Sequence, residues 1–135
     1  MDENFTARIE NIKKKFTSLN ADEKYSYLIE LGRNLPPYPD HLRIPEHMVS
    51  GCQSTLYFHT EFKDGKLFFS ASSDALISQG LAALLIHIYS NTSPHTILAS
   101  PLPELGLSLS PSRSNGLSSI YMRIKKDSIK YLTSI

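Results

Sequence analysis

The chain has 135 residues, 41% of them apolar and 20% charged, which suits one globular domain in the usual range of about 100–200 residues and argues against disorder. Its formal net charge of +1 supplies no global field for nucleic acid or an acidic membrane. The single cysteine, Cys52, excludes an internal disulfide framework and any zinc or iron–sulfur site built from several thiolates of this chain.

The opening Met-Asp-Glu-Asn-Phe-Thr lacks the basic start and apolar stretch of a secretory signal. The longest unbroken apolar run, Leu81 to Ile86, falls far short of the ~20 residues that span a bilayer. Both features predict a cytoplasmic protein with no membrane partner, in a compartment where a free thiol stays reduced. No period of the length that marks repeat arrays recurs.

From Glu3 to Thr17, the residues Phe5, Ile9, Ile12 and Phe16 recur at helical spacing, and Lys13, Lys14 and Lys15 suit the negative end of the helix dipole. Asn20 with Glu23 three residues on reads as a capping box. Tyr25, Leu28, Ile29 and Gly32 then form one face of a second helix, which should stop near Leu35 because Pro36 and Pro37 follow. Pro36 to Glu46 holds four prolines and reads as an ordered loop with at most one helical turn. Its Leu42 and Ile44 are expected to pack inward, and the loop serves either as a cover or as a wall of a site.

Gln53 to Phe62, rich in Thr, Tyr, Phe and Leu, reads as a strand. Lys63-Asp64-Gly65-Lys66 supplies a hairpin turn, and Leu67 to Ser72 returns as the second strand. A lone hairpin is marginal in water, so a helix cover or a third strand near Met48–Ser50 is required. Ser73 and Asp74 offer caps for the next helix, where Leu76, Ile77, Leu81, Leu84, Leu85 and Ile88 give a broad apolar surface. This is the expected central core helix, with Gly80 marking close backbone packing and Asn91 its end. Ser93-Pro94 opens a short helix through Leu98, and Pro101 and Pro103 bound another short element ending near Gly106. Ser110-Pro111 opens a last helix to about Leu132. It turns Leu117, Ile120, Tyr121 and Ile124 inward and leaves Arg123, Lys125, Lys126 and Lys130 on the opposite side and tail. The order predicts an α+β fold, a small antiparallel sheet with helices packed on it, in a single domain over 1–135.

Cys52 sits in Gly51-Cys52-Gln53-Ser54, between the proline-rich loop and the first strand. Gly51 permits a tight turn and close approach of another backbone. A buried structural cysteine and a presented nucleophile are both open on composition, although the polar neighbours Ser50, Gln53 and Ser54 weaken the buried reading. A reactive thiol, with an ordinary pKa of about 8.5, needs a cation or helix N-terminus to raise its thiolate fraction. Ser110-Pro111-Ser112-Arg113 offers both, although Arg113 can equally be a surface residue. Among the five histidines no pair shows metalloprotease spacing, so no metal is expected. His87 lies in the core helix, and His47 is the nearest candidate base for a Cys–His pair. Neither a Gly-rich phosphate loop nor a Gly-x-Ser-x-Gly elbow is present.

Several blocks together resemble the SufE family, sulfur acceptors that work with cysteine desulfurases in iron–sulfur cluster assembly. They are Tyr27-Leu28-Ile29-Glu30-Leu31-Gly32-Arg33, Leu35-Pro36-Pro37, Val49-Ser50-Gly51-Cys52-Gln53-Ser54, Asp64-Gly65-Lys66, Ser73-Asp74-Ala75-Leu76-Ile77, Gly80-Leu81, and Leu109-Ser110-Pro111-Ser112-Arg113-Ser114-Asn115-Gly116-Leu117. They occur in the family's order from about Tyr25 to Ile124.

The resemblance implies a fold shared with iron–sulfur scaffold proteins, and Cys52 as persulfide acceptor. It implies two protein partners, a PLP-dependent (SufS-like) cysteine desulfurase and an iron–sulfur scaffold complex. No cofactor of the chain's own and no nucleic acid are implied, and the expected state is a monomer or weak homodimer. It also implies supporting roles for Asp74 in shaping the cysteine loop, for Arg113 near the cysteine, and for Gly51, Gln53 and Ser54 in loop structure or thiolate hydrogen bonding. Tyr57 stands where the family commonly has tryptophan, His47 stands where asparagine is expected, and the link from Leu107 to Leu109 is short. Two other readings compete: a stand-alone Cys–His thiol hydrolase or transferase, and a cluster scaffold.

Overall fold

The computed structural model describes residues 3–51 and 54–133. Its α+β architecture is a two-stranded antiparallel ribbon packed against helices. The first helix, α1 (Glu3–Thr17), buries Phe5, Ile12 and Phe16, the stripe its spacing predicts. Asn20 caps α2 (Ala21–Arg33) reciprocally: Glu23 N donates to Asn20 Oδ1, and Asn20 N donates to Glu23 Oε1, each at 2.9 Å. The helix ends at Asn34, ahead of the prolines.

The strands β1 (Leu56–Lys63) and β2 (Lys66–Ser73) pair in the register Phe58↔Ala71, Thr60↔Phe69 and Phe62↔Leu67. Asp64 at φ 54° and Gly65 at φ 77° form the two-residue turn whose twist matches the strands. Leu56, Phe58, Leu67, Phe69 and Ala71 face inward and are buried. The first strand starts later than its composition suggests, and Met48 contributes a single bridge to Tyr57 rather than a third strand.

The inner face of the ribbon rests on α3 (Leu76–Tyr89), in which Leu81, Leu84, Leu85 and Ile88 are almost wholly buried. A buried Leu side chain contributes roughly 1.5–3 kcal/mol, so α3 carries much of the core energy. It crosses α2 at two glycines. A Cβ on Gly80 would overlap the Leu28 carbonyl oxygen, and one on Gly32 would lie 2.9 Å from Gly80 N. Backbone meets backbone here, as Gly80 leads one to expect.

Beyond α3, Ser93 caps the short α4 (Pro94–Leu98), and Ser110 caps α5 (Pro111–Leu132) by accepting from Arg113 N at 3.4 Å. No described helix is long and apolar enough to cross a membrane.

Several expectations need correction. Neither Ser73 nor Asp74 caps α3. The N-cap position is Ala75, because Ser73 still belongs to β2 and its hydroxyl donates to Thr55 O at 2.7 Å. Leu76 is 53% exposed, since the helix begins with that residue and its first turn overhangs the core. The stretch from Pro101 to Gly106 forms no regular element. Gly106 and Ser108 both take positive φ, and Leu105 and Leu107 bury themselves from irregular backbone. Finally, Ile44 is exposed, and the proline-rich loop makes two single 3₁₀ turns, Asp40–Leu42 and Pro45–His47, instead of one.

That loop covers the outer face of the ribbon. Tyr38 stacks on Tyr57 at 6.1 Å between ring centroids, and the Arg43 guanidinium lies over both rings and donates to Ser72 Oγ at 3.1 Å. Burial raises the Tyr38 phenol above its ordinary value despite the opposing pull of Arg43. Tyr57 is thus a wall of this cover.

Candidate functional site

Cys52 and Gln53 lie outside the described residues, so the site is built from what stands on either side of them. The base of their loop is closed by a backbone hydrogen bond, Val49 N to Leu56 O at 2.9 Å. Gly51 has φ 91°, the left-handed region, and a Cβ there would run into the Ser119 hydroxyl on α5. The positive φ favours glycine there, and a side chain at this position would have to turn the Ser119 hydroxyl aside. On the other side, Ser54 Oγ lies 2.7 Å from Ser78 Oγ in the first turn of α3. The loop thus has one flank against α5 and the other against α3.

Between those helices lies an open cleft of about 790 Å³. Its lining includes Ser54, Leu76, Ser78, Ser110, Ser112 and Arg113. The N-termini of α3 and α5 both border it, so the positive ends of two helix dipoles meet at the cleft. Among the described residues Arg113 is the one cation in that lining, and its guanidinium stacks over the Tyr25 ring of α2 at 4.8 Å. The structure therefore brings Ser54, Arg113 and the α5 terminus to one cleft, a placement that periodicity alone leaves open. Asp74 is not brought in: it is exposed, does not line the cleft, and has no side-chain partner among the described residues.

Among the described residues no histidine lines the cleft. His47 Nδ1 instead donates to Leu42 O at 2.9 Å, and its ring packs on His59 at 4.8 Å. Burial first, and then the neighbouring His47, lower the pKa of His59 below its ordinary 6.5. No group of three or more His, Cys, Asp or Glu able to hold a metal occurs among the described residues.

A second polar cluster escapes sequence reasoning. Arg123, assigned by periodicity to the open side of α5, has only 18% of its side chain exposed, and Asp127 has 15%. Arg123 Nε donates to Asp127 Oδ2 at 3.4 Å, Nη1 to Met48 O at 3.3 Å and Nη2 to Glu46 O at 2.8 Å. Asp127 Oδ2 also accepts from the buried Thr60 hydroxyl at 2.6 Å. The Arg-x-x-x-Asp spacing on one helix was the available signal, since it places both charges on one face.

Residues 10–128 match the model of the SufE family, described as an Fe-S metabolism associated domain. A hypothetical protein from Thermus thermophilus, whose structure was determined in solution, is similar in fold. The TM-score is 0.76 at 23% identity, over 93% of this chain and 96% of that one.

Proposed function

The chain belongs to the SufE family, which supports a general sulfur-acceptor role, and from that premise we propose that Cys52 accepts sulfur from the persulfide of a cysteine desulfurase. The observation that carries the reading is the family match across residues 10–128, which spans Gly51-Cys52-Gln53-Ser54 and Ser110-Pro111-Ser112-Arg113 alike. The Cys52 thiolate attacks the outer sulfur of the partner's persulfide. A new sulfur–sulfur bond forms at Cys52, the old one breaks, and the partner's thiolate leaves with the bonding electrons. The persulfide proton travels with the transferred sulfur, and nothing is oxidised or reduced overall. The Cys52 persulfide then passes to an iron–sulfur scaffold, and removal of the product speeds the desulfurase.

In this reading the positive ends of α3 and α5, with Arg113, favour negative charge near Ser54 and so favour thiolate over thiol. Asp74, exposed beside the start of α3, acts on the partner side or on the loop. The chain works as a single SufE-like domain in the cytoplasm. A stand-alone Cys–His hydrolase fits less well, because His47 is engaged with Leu42 O and His59, away from the cleft lining.

Incubation with a cysteine desulfurase and free cysteine, followed by intact-mass measurement, tests the reading. The expected result is a gain of one or more sulfur atoms that disappears in Cys52→Ser. No gain and no stimulation of the desulfurase would sink it. For Arg113, the midpoint of alkylation rate against pH should rise in Arg113→Ala, because a nearby cation favours the thiolate; an unmoved midpoint removes that role.

A further inference from the structure

The loop that contains Cys52 stands on a stem whose two arms are fixed by different means. The departing arm is held by Ser73 Oγ donating to Thr55 O at 2.7 Å and by the Ser54–Ser78 contact at 2.7 Å. The approaching arm, Glu46 to Gly51, has little regular structure of its own. A single 3₁₀ turn ends at His47, and Val49 supplies the backbone bond at the base. Arg123 fills the gap. Its planar fork reaches two carbonyls on either side of His47 while its Nε stays on Asp127, and Asp127 is tied to β1 through Thr60. Three donors in fixed directions suit arginine, and a lysine ammonium cannot hold both carbonyls and the carboxylate in that plane.

Stability alone is a weak reason for this arrangement. A mostly dehydrated ion pair usually gains little over a well-packed apolar pair, and its distinctive product is fixed geometry. One helix, moreover, serves the whole approach. On α5, Arg113 borders the cleft, Ser119 abuts Gly51, and Arg123 holds Glu46 and Met48, spread over about 15 Å at 1.5 Å per residue.

We propose that Arg123 is a positioning residue for sulfur transfer, fixing the approaching arm of the loop through the Glu46 and Met48 carbonyls so that the acceptor thiol meets the partner's persulfide in line. The proposal rests on the carrier reading above and adds a residue to it. Transfer between two proteins needs the attacking and attacked sulfurs within a narrow range of distance and angle, and small misplacements cost large factors in rate. A contact that fixes the arm should therefore act on the rate within the docked complex and leave docking itself unchanged.

The test compares wild type, Arg123→Lys, and the double variant Arg123→Gln/Asp127→Asn, which leaves no unpaired carboxylate should the single change impair folding. Desulfurase turnover and mass gain are measured against increasing concentrations of each protein. The expected result is a maximal rate lowered about fivefold in Arg123→Lys and about tenfold in the double variant. The half-saturating concentration and the iodoacetamide alkylation rate should stay within twofold of wild type. Maximal rates equal to wild type in both variants would overturn the proposal. So would a loss confined to the half-saturating concentration, which marks a docking residue, or an equal fall in alkylation, which marks an effect on the thiol itself. A wild-type chain that takes up no sulfur removes the carrier reading and this role together. A wild-type chain that does so, beside variants that match it, removes only the role of Arg123.

Discussion

The crossing of α2 and α3 and the stem of the Cys52 loop are both tightly held, by opposite means. At the crossing, Gly32 and Gly80 let two backbones touch, and Leu28, Leu81, Leu84 and Leu85 close around them with apolar surface. At the stem, polar groups hold each strand of chain separately: Ser73 to Thr55, Ser54 to Ser78, Arg123 to Glu46 and Met48. The first arrangement is stable because displaced apolar surface has nowhere else to go. The second sets position at modest energy, since each exchanged hydrogen bond contributes only about 1 kcal/mol net. Fold stability and site geometry are therefore separable in this molecule, and substitutions should fall into two classes.

Gly80→Ala should break the first region most severely. The added methyl meets the Leu28 carbonyl, which belongs to backbone and cannot turn aside. Loss of roughly 3 kcal/mol is expected in urea unfolding, while sulfur uptake by the fraction still folded stays normal. A stability change under about 1 kcal/mol would show that the helices slide apart freely. Ser73→Ala should do the reverse. It costs about 1 kcal/mol, yet hydrogen exchange at the Val49 amide, which closes the loop base, should quicken clearly. Unchanged exchange there would mean that the hydroxyl does not hold the stem.

Tyr89→Phe probes a polar flaw in the dry region. The Tyr89 hydroxyl is buried without a hydrogen-bond partner among the described residues, and burial raises its phenol well above the ordinary value. Removing it should raise stability by up to about 1 kcal/mol, read as a higher melting temperature; a fall would reveal a partner for that hydroxyl.

The smallest effect concerns His59. Its pKa in the folded chain lies below 6.5, so stability from the neutral ring is fully present above 6.5. As pH falls below that value, the unfolded chain takes up a proton that the folded one resists, and stability declines until the folded pKa is passed. His59→Gln should flatten that decline. His47→Gln should flatten it only in part, because burial outweighs the neighbouring imidazole. An identical slope in all three proteins would place the acid sensitivity elsewhere.

The same division explains what the sequence made legible. The stripe of α1, the Asn20–Glu23 box, the Asp64-Gly65 turn and the close approach at Gly80 are local signals, each set by spacing within one element. The Gly51 motif and the Ser110 cap belong to this group too. Contacts between distant elements left little trace. His47 and His59 meet across a loop and a strand, and Arg123 sits beside Lys125 and Lys126 in what reads as a solvated face. Leu76 and Ile44 fail for a related reason: apolar identity does not say whether a residue at the edge of an element has anything to pack against. Asp74 stands next to the lining residue Ala75 without itself lining the cleft, a distinction that no pattern encodes.

A two-stranded ribbon has an outer edge on each strand, and either could recruit an extended segment from another molecule. Here each is interrupted: Met48 bridges Tyr57 near the loop end of β1, and Thr92 bridges Leu67 near the turn end of β2. The two plugs sit at opposite ends, so neither edge offers its full length of free amides, and Lys63 and Lys66 add charge where the turn is most open. The plug on β1 is the very stretch that Arg123 holds. Loosening that arm should thus unmask an edge as well as slow the chemistry, and variants at Arg123 should be watched for slow self-association on storage.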